Sequence, residues 1–149
     1  MNATNATNAP HAPPAGVDAL QALQDALALP PGAAELFVQL AEGELAAGRT
    51  AQAKAILEGL VAQAPGEPDA WALLSQAHRR VGEPEAARFC AEVATELAPE
   101  DAYVALVRAE SLLALPETRA EGREALQRLS GEEGEVAERA RRWLDALSQ

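Results

Sequence analysis

The side chains able to do chemistry are few and far apart. One cysteine, Cys90, and two histidines, His11 and His78, are the only thiol and imidazoles in 149 residues. A nucleophilic thiol needs a neighbouring base, and a zinc site needs three or four His, Cys or carboxylate ligands. These spacings assemble neither. No loop ending in Gly-Lys-Ser/Thr and no Gly-x-Ser-x-Gly elbow occurs. Cys90, beside Phe89, reads as a core or semi-buried small hydrophobe, and His78 as a packed helix residue. No enzymatic activity, cofactor or metal is expected. The chemistry left is recognition. Arg79, Arg80 and Arg108 could grip carboxylates through two-pronged guanidinium hydrogen bonds. Arg79 and Arg80 equally suit the C-terminal end of a helix, where positive charge offsets the helix dipole. The many carboxylates read as solvated helix faces.

The elements that must position these groups are helices. Hydrophobic residues make up 48% of the chain but aromatic ones only 3%, so Ala and Leu carry the apolar content, with Glu, Gln and Arg beside them. Those are strong helix formers, and the β-branched runs that strands need are missing. The net charge of −11 opposes binding to nucleic acid or to an anionic membrane surface. A single cysteine allows no internal disulfide and fits a reducing compartment, so a cytoplasmic location is expected. No apolar run approaches the roughly 18–20 residues of a membrane span. Residues 1–16 are rich in Asn, Ala and Pro, lack a basic residue and an apolar stretch, and read as a disordered tail rather than a secretory signal.

The chain repeats. Phe37 and Trp71 are 34 residues apart, as are Gly48 and Gly82, Ala53 and Ala87, and Pro65 and Pro99. In each copy a first helix carries a bulky residue and then Leu40 or Leu74 on one face. A glycine permits the turn, a second helix begins near Thr50 or Pro84, and a proline ends the unit. A third copy is aligned through Asp101-Ala102-Tyr103 on Asp69-Ala70-Trp71, an offset of 32 that implies a connection shortened by two residues. The units then span about 34–67, 68–99 and 100–129. A closing amphipathic helix over about 134–148 carries Val136, Ala140, Trp143, Leu144 and Leu147 on one stripe. A leading helix carries Leu20, Leu23 and Leu27 on one face and ends at Pro30-Pro31-Gly32.

Trp71-x-x-Leu74-Ser75-x-x-His78, then Gly82, Ala87, Ala94 and Pro99, resembles a tetratricopeptide repeat. The first copy matches through Phe37, Leu40, Ala41, Gly48, Ala53 and Pro65, with Glu44 in place of an aromatic. The resemblance implies an all-α, right-handed solenoid of about three helix pairs whose first helices line a concave peptide-binding groove. Carried over from the family, the groove positions are Val38, Glu42 and Leu45 in the first unit, with Glu35 and Ala46. The second unit gives Ala72, Gln76, Arg79 and Arg80, with Asp69. The third gives Val104, Arg108, Ser111 and Leu112, with Asp101. The layout of leading helix, three repeats and closing helix is similar to the class II chaperones of bacterial type III secretion. That likeness implies a groove holding an extended segment of a translocator, and a homodimer formed through Leu20, Leu23 and Leu27. The alternative is a structural scaffold that joins a folded partner through its convex face or terminal helices.

Overall fold

The computed structural model describes residues 25–149. The tail over 1–16 and most of the leading helix, including Leu20 and Leu23, lie outside the described residues. Residues 25–27 are helical, and seven α-helices follow: α1 Ala33–Ala46, α2 Thr50–Gln63, α3 Pro68–Arg80, α4 Pro84–Leu97, α5 Ala102–Leu113, α6 Arg119–Ser130 and α7 Glu135–Leu147. A single 3-10 turn, Pro116–Thr118, links α5 to α6. No strand occurs among the described residues. Helices pack in antiparallel pairs, α1 on α2, α3 on α4 and α5 on α6. Each pair stacks on the next, and α7 lies over α6. The architecture is an all-α solenoid.

Small residues set how closely each pair packs. Ala41, Ser75 and Ala109 stand 34 residues apart and are all buried. Their counterparts on the second helices are Ala53, Ala87 and Gly122. Ser75 Oγ donates to the Ala87 carbonyl at 2.7 Å, and an added Cβ on Gly122 would stand 2.9 Å from the Ala109 carbonyl oxygen. Larger side chains fill the space around these crossings. Leu57, Leu60, Leu73 and Leu74 form the core of the first two pairs, and Leu106, Leu126 and Leu129 that of the third.

The first two turns share one solution. Gly48 and Gly82 both have φ near 80°, which only glycine adopts without strain. Each turn closes with the paired hydrogen bonds that satisfy a helix C-terminus: Arg49 N to Glu44 O and Gly48 N to Leu45 O in one, Glu83 N to His78 O and Gly82 N to Arg79 O in the other. A side-chain pair spans each turn at equivalent positions, Glu44 with Arg49 and His78 with Glu83. This is why neither Glu44 nor His78 needs to be aromatic. The third turn has no glycine. Thr118 Oγ1 donates to the Leu112 carbonyl and Arg119 Nε to that of Leu113, and the turn runs through Leu115 and Pro116 instead.

The third unit is in a different register from the one expected. The links 64–67 and 98–101 are equally long, so α5 begins 34 residues after α3, not 32. Ala105, not Tyr103, occupies the place of Trp71. The shared Asp-Ala-aromatic tripeptide misleads because it sits differently on the two helices. Asp69 lies inside the first turn of α3. Asp101 is the N-cap of α5 and accepts hydrogen bonds from the amides of Tyr103 and Val104.

Candidate functional site

The corrected register decides which side chains face the inside of the solenoid. A cavity of about 440 Å³ lies between α1, α3, α5 and α7. Leu73, Leu106 and Val136 give it apolar surface, and Tyr103 stands among them. Gln76 Nε2 donates to the Tyr103 hydroxyl, tying α3 to α5. Burial pushes the Tyr103 phenol up to about 12. Four carboxylates line the same space: Glu42 from α1, Asp69 from α3, Asp101 capping α5 and Glu135 from α7.

One end of the groove is built around Glu110 of α5, whose side chain has no solvent exposure. Arg139 of α7 donates to both of its oxygens at 2.7 and 2.8 Å. Arg79 of α3 adds a contact at 3.2 Å, and Trp143 Nε1 of α7 donates to it at 2.8 Å. The Arg79 guanidinium lies over the Trp143 ring, 5.3 Å from its centroid. A buried carboxylate is tolerable only when its lone pairs are filled this fully. The result fastens α7 to α3 and α5 across the concave side.

The expected groove residues divide. Glu42 lines the cavity, and Val38 is half-buried against the core beneath α1. Gln76 and Arg79 are spent on α5, and Arg80 Nη1 donates to the Leu45 carbonyl at 2.7 Å. Leu45 and Ala72 are buried in the packing between helices, Leu45 among α1–α3 and Ala72 against α4 and α5, so neither presents a seat to solvent. In the third unit the two-residue slip turns the chosen positions away from the cavity. Val104, Ser111 and Leu112 are buried. Arg108 points between α4 and α6, where it meets Glu92 at 3.0 Å and Glu121 at 3.0 Å. Tyr103, Leu106 and Glu110 hold the inward positions instead. The 34-residue spacing of Ala41, Ser75 and Ala109 was the signal that could have found them; small residues are easily overlooked beside an aromatic match.

The potential catalytic groups have other occupations. Cys90 is buried in the first core cluster, and burial pushes its thiol up to about 11. Its thiolate is therefore scarce near neutral pH. His78 is paired with Glu83. Among the described residues no group of three His, Cys, Asp or Glu side chains is placed to hold a metal ion. Nor is any helix among them long and apolar enough to cross a membrane.

A family model described as tetratricopeptide repeat matches residues 16–77 and 44–111. Among solved structures the fold is similar to the type III secretion translocator chaperone SycD of Yersinia enterocolitica, crystallised as an alternative dimer. That likeness has a TM-score of 0.66 and 18% identity over 80% of this chain and 94% of that one. It is also similar to the Sgt2 TPR domain of Aspergillus fumigatus, with a TM-score of 0.63 and 16% identity over 80% of this chain and 79% of that one. No curated protein sequence matches.

Proposed function

Because the chain belongs to the tetratricopeptide-repeat family, which binds proteins and peptides, we propose that it holds an extended segment of a partner protein in the concave cavity. In this reading it acts as a non-catalytic cytoplasmic chaperone. The observation that carries the reading is the cavity itself, open between three first helices and α7, with apolar surface from Leu73, Leu106 and Val136. Such surface binds a chain that has lost its own core. The fold likeness to a secretion chaperone supports a finer version, in which the client is a translocator of a type III secretion system and the chaperone is a homodimer through the leading helix. The exposed Leu27 is available for such a contact.

The scaffold reading draws on a different surface. Phe89 on α4 is 64% exposed, and Val81 and Leu97 of the same unit are exposed as well. A photo-crosslinking residue placed at Glu42 or at Phe89 separates the two. The chaperone reading expects one client segment attached at position 42 and nothing specific at 89. Attachment of a folded complex at 89 alone would replace it with the scaffold.

A further inference from the structure

We infer that the groove selects a basic segment, one in which an apolar side chain is flanked by Lys or Arg; this rests on the groove reading above. Of the three arginines expected to grip carboxylates, Arg79 and Arg108 already hold carboxylates of the chain itself, and Arg80, exposed and bonded to a carbonyl through Nη1, does not line the cavity. Arg79 is held by Glu110, Arg80 by the Leu45 carbonyl, and Arg108 by Glu92 and Glu121. The guanidinium in the cavity wall, Arg139, has both hydrogen-bonding arms on Glu110. The wall is thus left with carboxylates beside apolar surface.

None of those four carboxylates makes an ion pair with a described residue, and only Asp101 has hydrogen bonds, from the amides of Tyr103 and Val104, whereas Glu44, Glu83, Glu92, Glu110 and Glu121 are all paired. Residues 1–24 contain neither Lys nor Arg. Helix dipoles offset part of the charge, since Asp69, Asp101 and Glu135 lie at helix N-termini. Each N-terminus contributes roughly half a positive charge, and Glu110 neutralises only one of the two guanidiniums it holds, Arg79 and Arg139; together these offset roughly 2.5 of the four negative charges and leave the wall net negative. Glu42 lies beyond the first turn of α1 and has no such compensation. A concave wall focuses the remaining negative potential. A segment that seats an aliphatic side chain on Leu73 and Leu106 and extends ammonium or guanidinium groups to Glu42, Asp69 and Glu135 satisfies both parts of the lining.

The test uses the full chain and three short fluorescein-labelled peptides. Each has a central Leu, flanked by Lys in the first, Gln in the second and Glu in the third. Anisotropy measures affinity, and amide shifts of Leu73 and Leu106 against Phe89 report where each peptide sits. We expect the Lys peptide to bind in the groove about tenfold more tightly than the Gln peptide at low salt, with the advantage shrinking as salt rises. The Glu42→Gln/Asp69→Asn/Glu135→Gln variant should lose that advantage while keeping its helicity, with a melting temperature lowered only slightly by the loss of two first-turn acids. Asp101 is left intact because it caps α5. Equal groove binding by all three peptides would overturn the charge selection and leave the groove reading standing. Failure of every peptide to shift Leu73 and Leu106 would overturn both.

Discussion

The first and third helix pairs have the same architecture and opposite surfaces. In α5 and α6, Leu106, Leu112 and Leu126 are fully buried, and Val136, Trp143 and Leu144 of α7 pack on the cluster that holds Leu106 and Leu126. In α1, Leu36 is 67% exposed and Leu40 50%, and Phe37 borders an apolar cavity of about 260 Å³ with Leu29 and Ile56. A stacked repeat buries its faces only against neighbours, so each end of an array needs a cover. The C-terminal end carries its own, fastened by a buried charge cluster. Among the described residues the N-terminal pair has no such cover. Stability should therefore be concentrated toward the C-terminus, and a Leu→Ala truncation should cost more in the third pair than on the uncovered face of the first.

Paired truncations test this contrast most strongly. Leu126→Ala should destabilise by about 2–5 kcal/mol, because its site is wholly enclosed. Leu36→Ala should stay within about 0.5 kcal/mol, as exposed positions do. Urea unfolding of both variants measures the difference. A large cost at Leu36 would show that the N-terminal face is covered in solution, and the asymmetry would fail.

Glu110→Gln comes next. It keeps the shape but turns an amide donor toward Arg79 or Arg139, leaving a guanidinium without its counter-charge. Removing one partner of a fully buried pair costs about 3–5 kcal/mol, and the partial exposure of both arginines lowers the expectation to about 2–3 kcal/mol. Hydrogen exchange should show α7 loosening before the rest. Uniform loss across all helices would mean that the cluster does not specifically fasten α7.

Two helix glycines give a smaller effect of opposite sign. An added Cβ on Gly122 would meet the Leu113 amide nitrogen at 3.0 Å and Leu112 Cβ at 3.1 Å, so Gly122→Ala should cost about 1–3 kcal/mol in melting experiments. Gly59 of α2 has nothing within 4 Å, and Gly59→Ala should stabilise by about 1 kcal/mol through helix propensity. A loss at Gly59 would again show that something seats on the N-terminal cavity.

The mildest test is alkaline titration of Tyr103, the sole tyrosine. Its ionisation, followed by absorbance, should be centred near 12 rather than at the ordinary 10.0, because burial disfavours the phenolate. The folded state then holds the proton more tightly than the unfolded chain. Its contribution to stability is present below pH 10 and fades as pH rises toward 12. A midpoint at the ordinary value would place Tyr103 in open solvent and remove it from the cavity wall.

Much of the fold was legible in the residues. Gly48 and Gly82 marked the turns, and Pro84 the start of α4. Trp71 was read as a core anchor and is half-buried, with its indole N–H on the Pro65 carbonyl at 2.8 Å and its ring edge-on to Phe89. The third unit was read two residues out of register because an aromatic outweighed a pattern of alanines. On a helix of 3.6 residues per turn, two residues is a rotation of about 200°, enough to exchange the inner face for the outer one. That one slip put Val104, Arg108, Ser111 and Leu112 in the groove and left out Tyr103, Leu106 and Glu110.

The sequence by itself determined the helices, their pairing and the repeat, because these rest on local signals: periodicity, a glycine that tolerates positive φ, a proline that ends a helix, a small residue where two helices cross. The charge of the groove was decided only by the tertiary structure. Whether an arginine faces a ligand or is consumed internally depends on which carboxylate the fold brings to it from 31 residues away, as Glu110 is brought to Arg79. Sequence spacing carries no record of that encounter, since it depends on how α3, α5 and α7 meet in space.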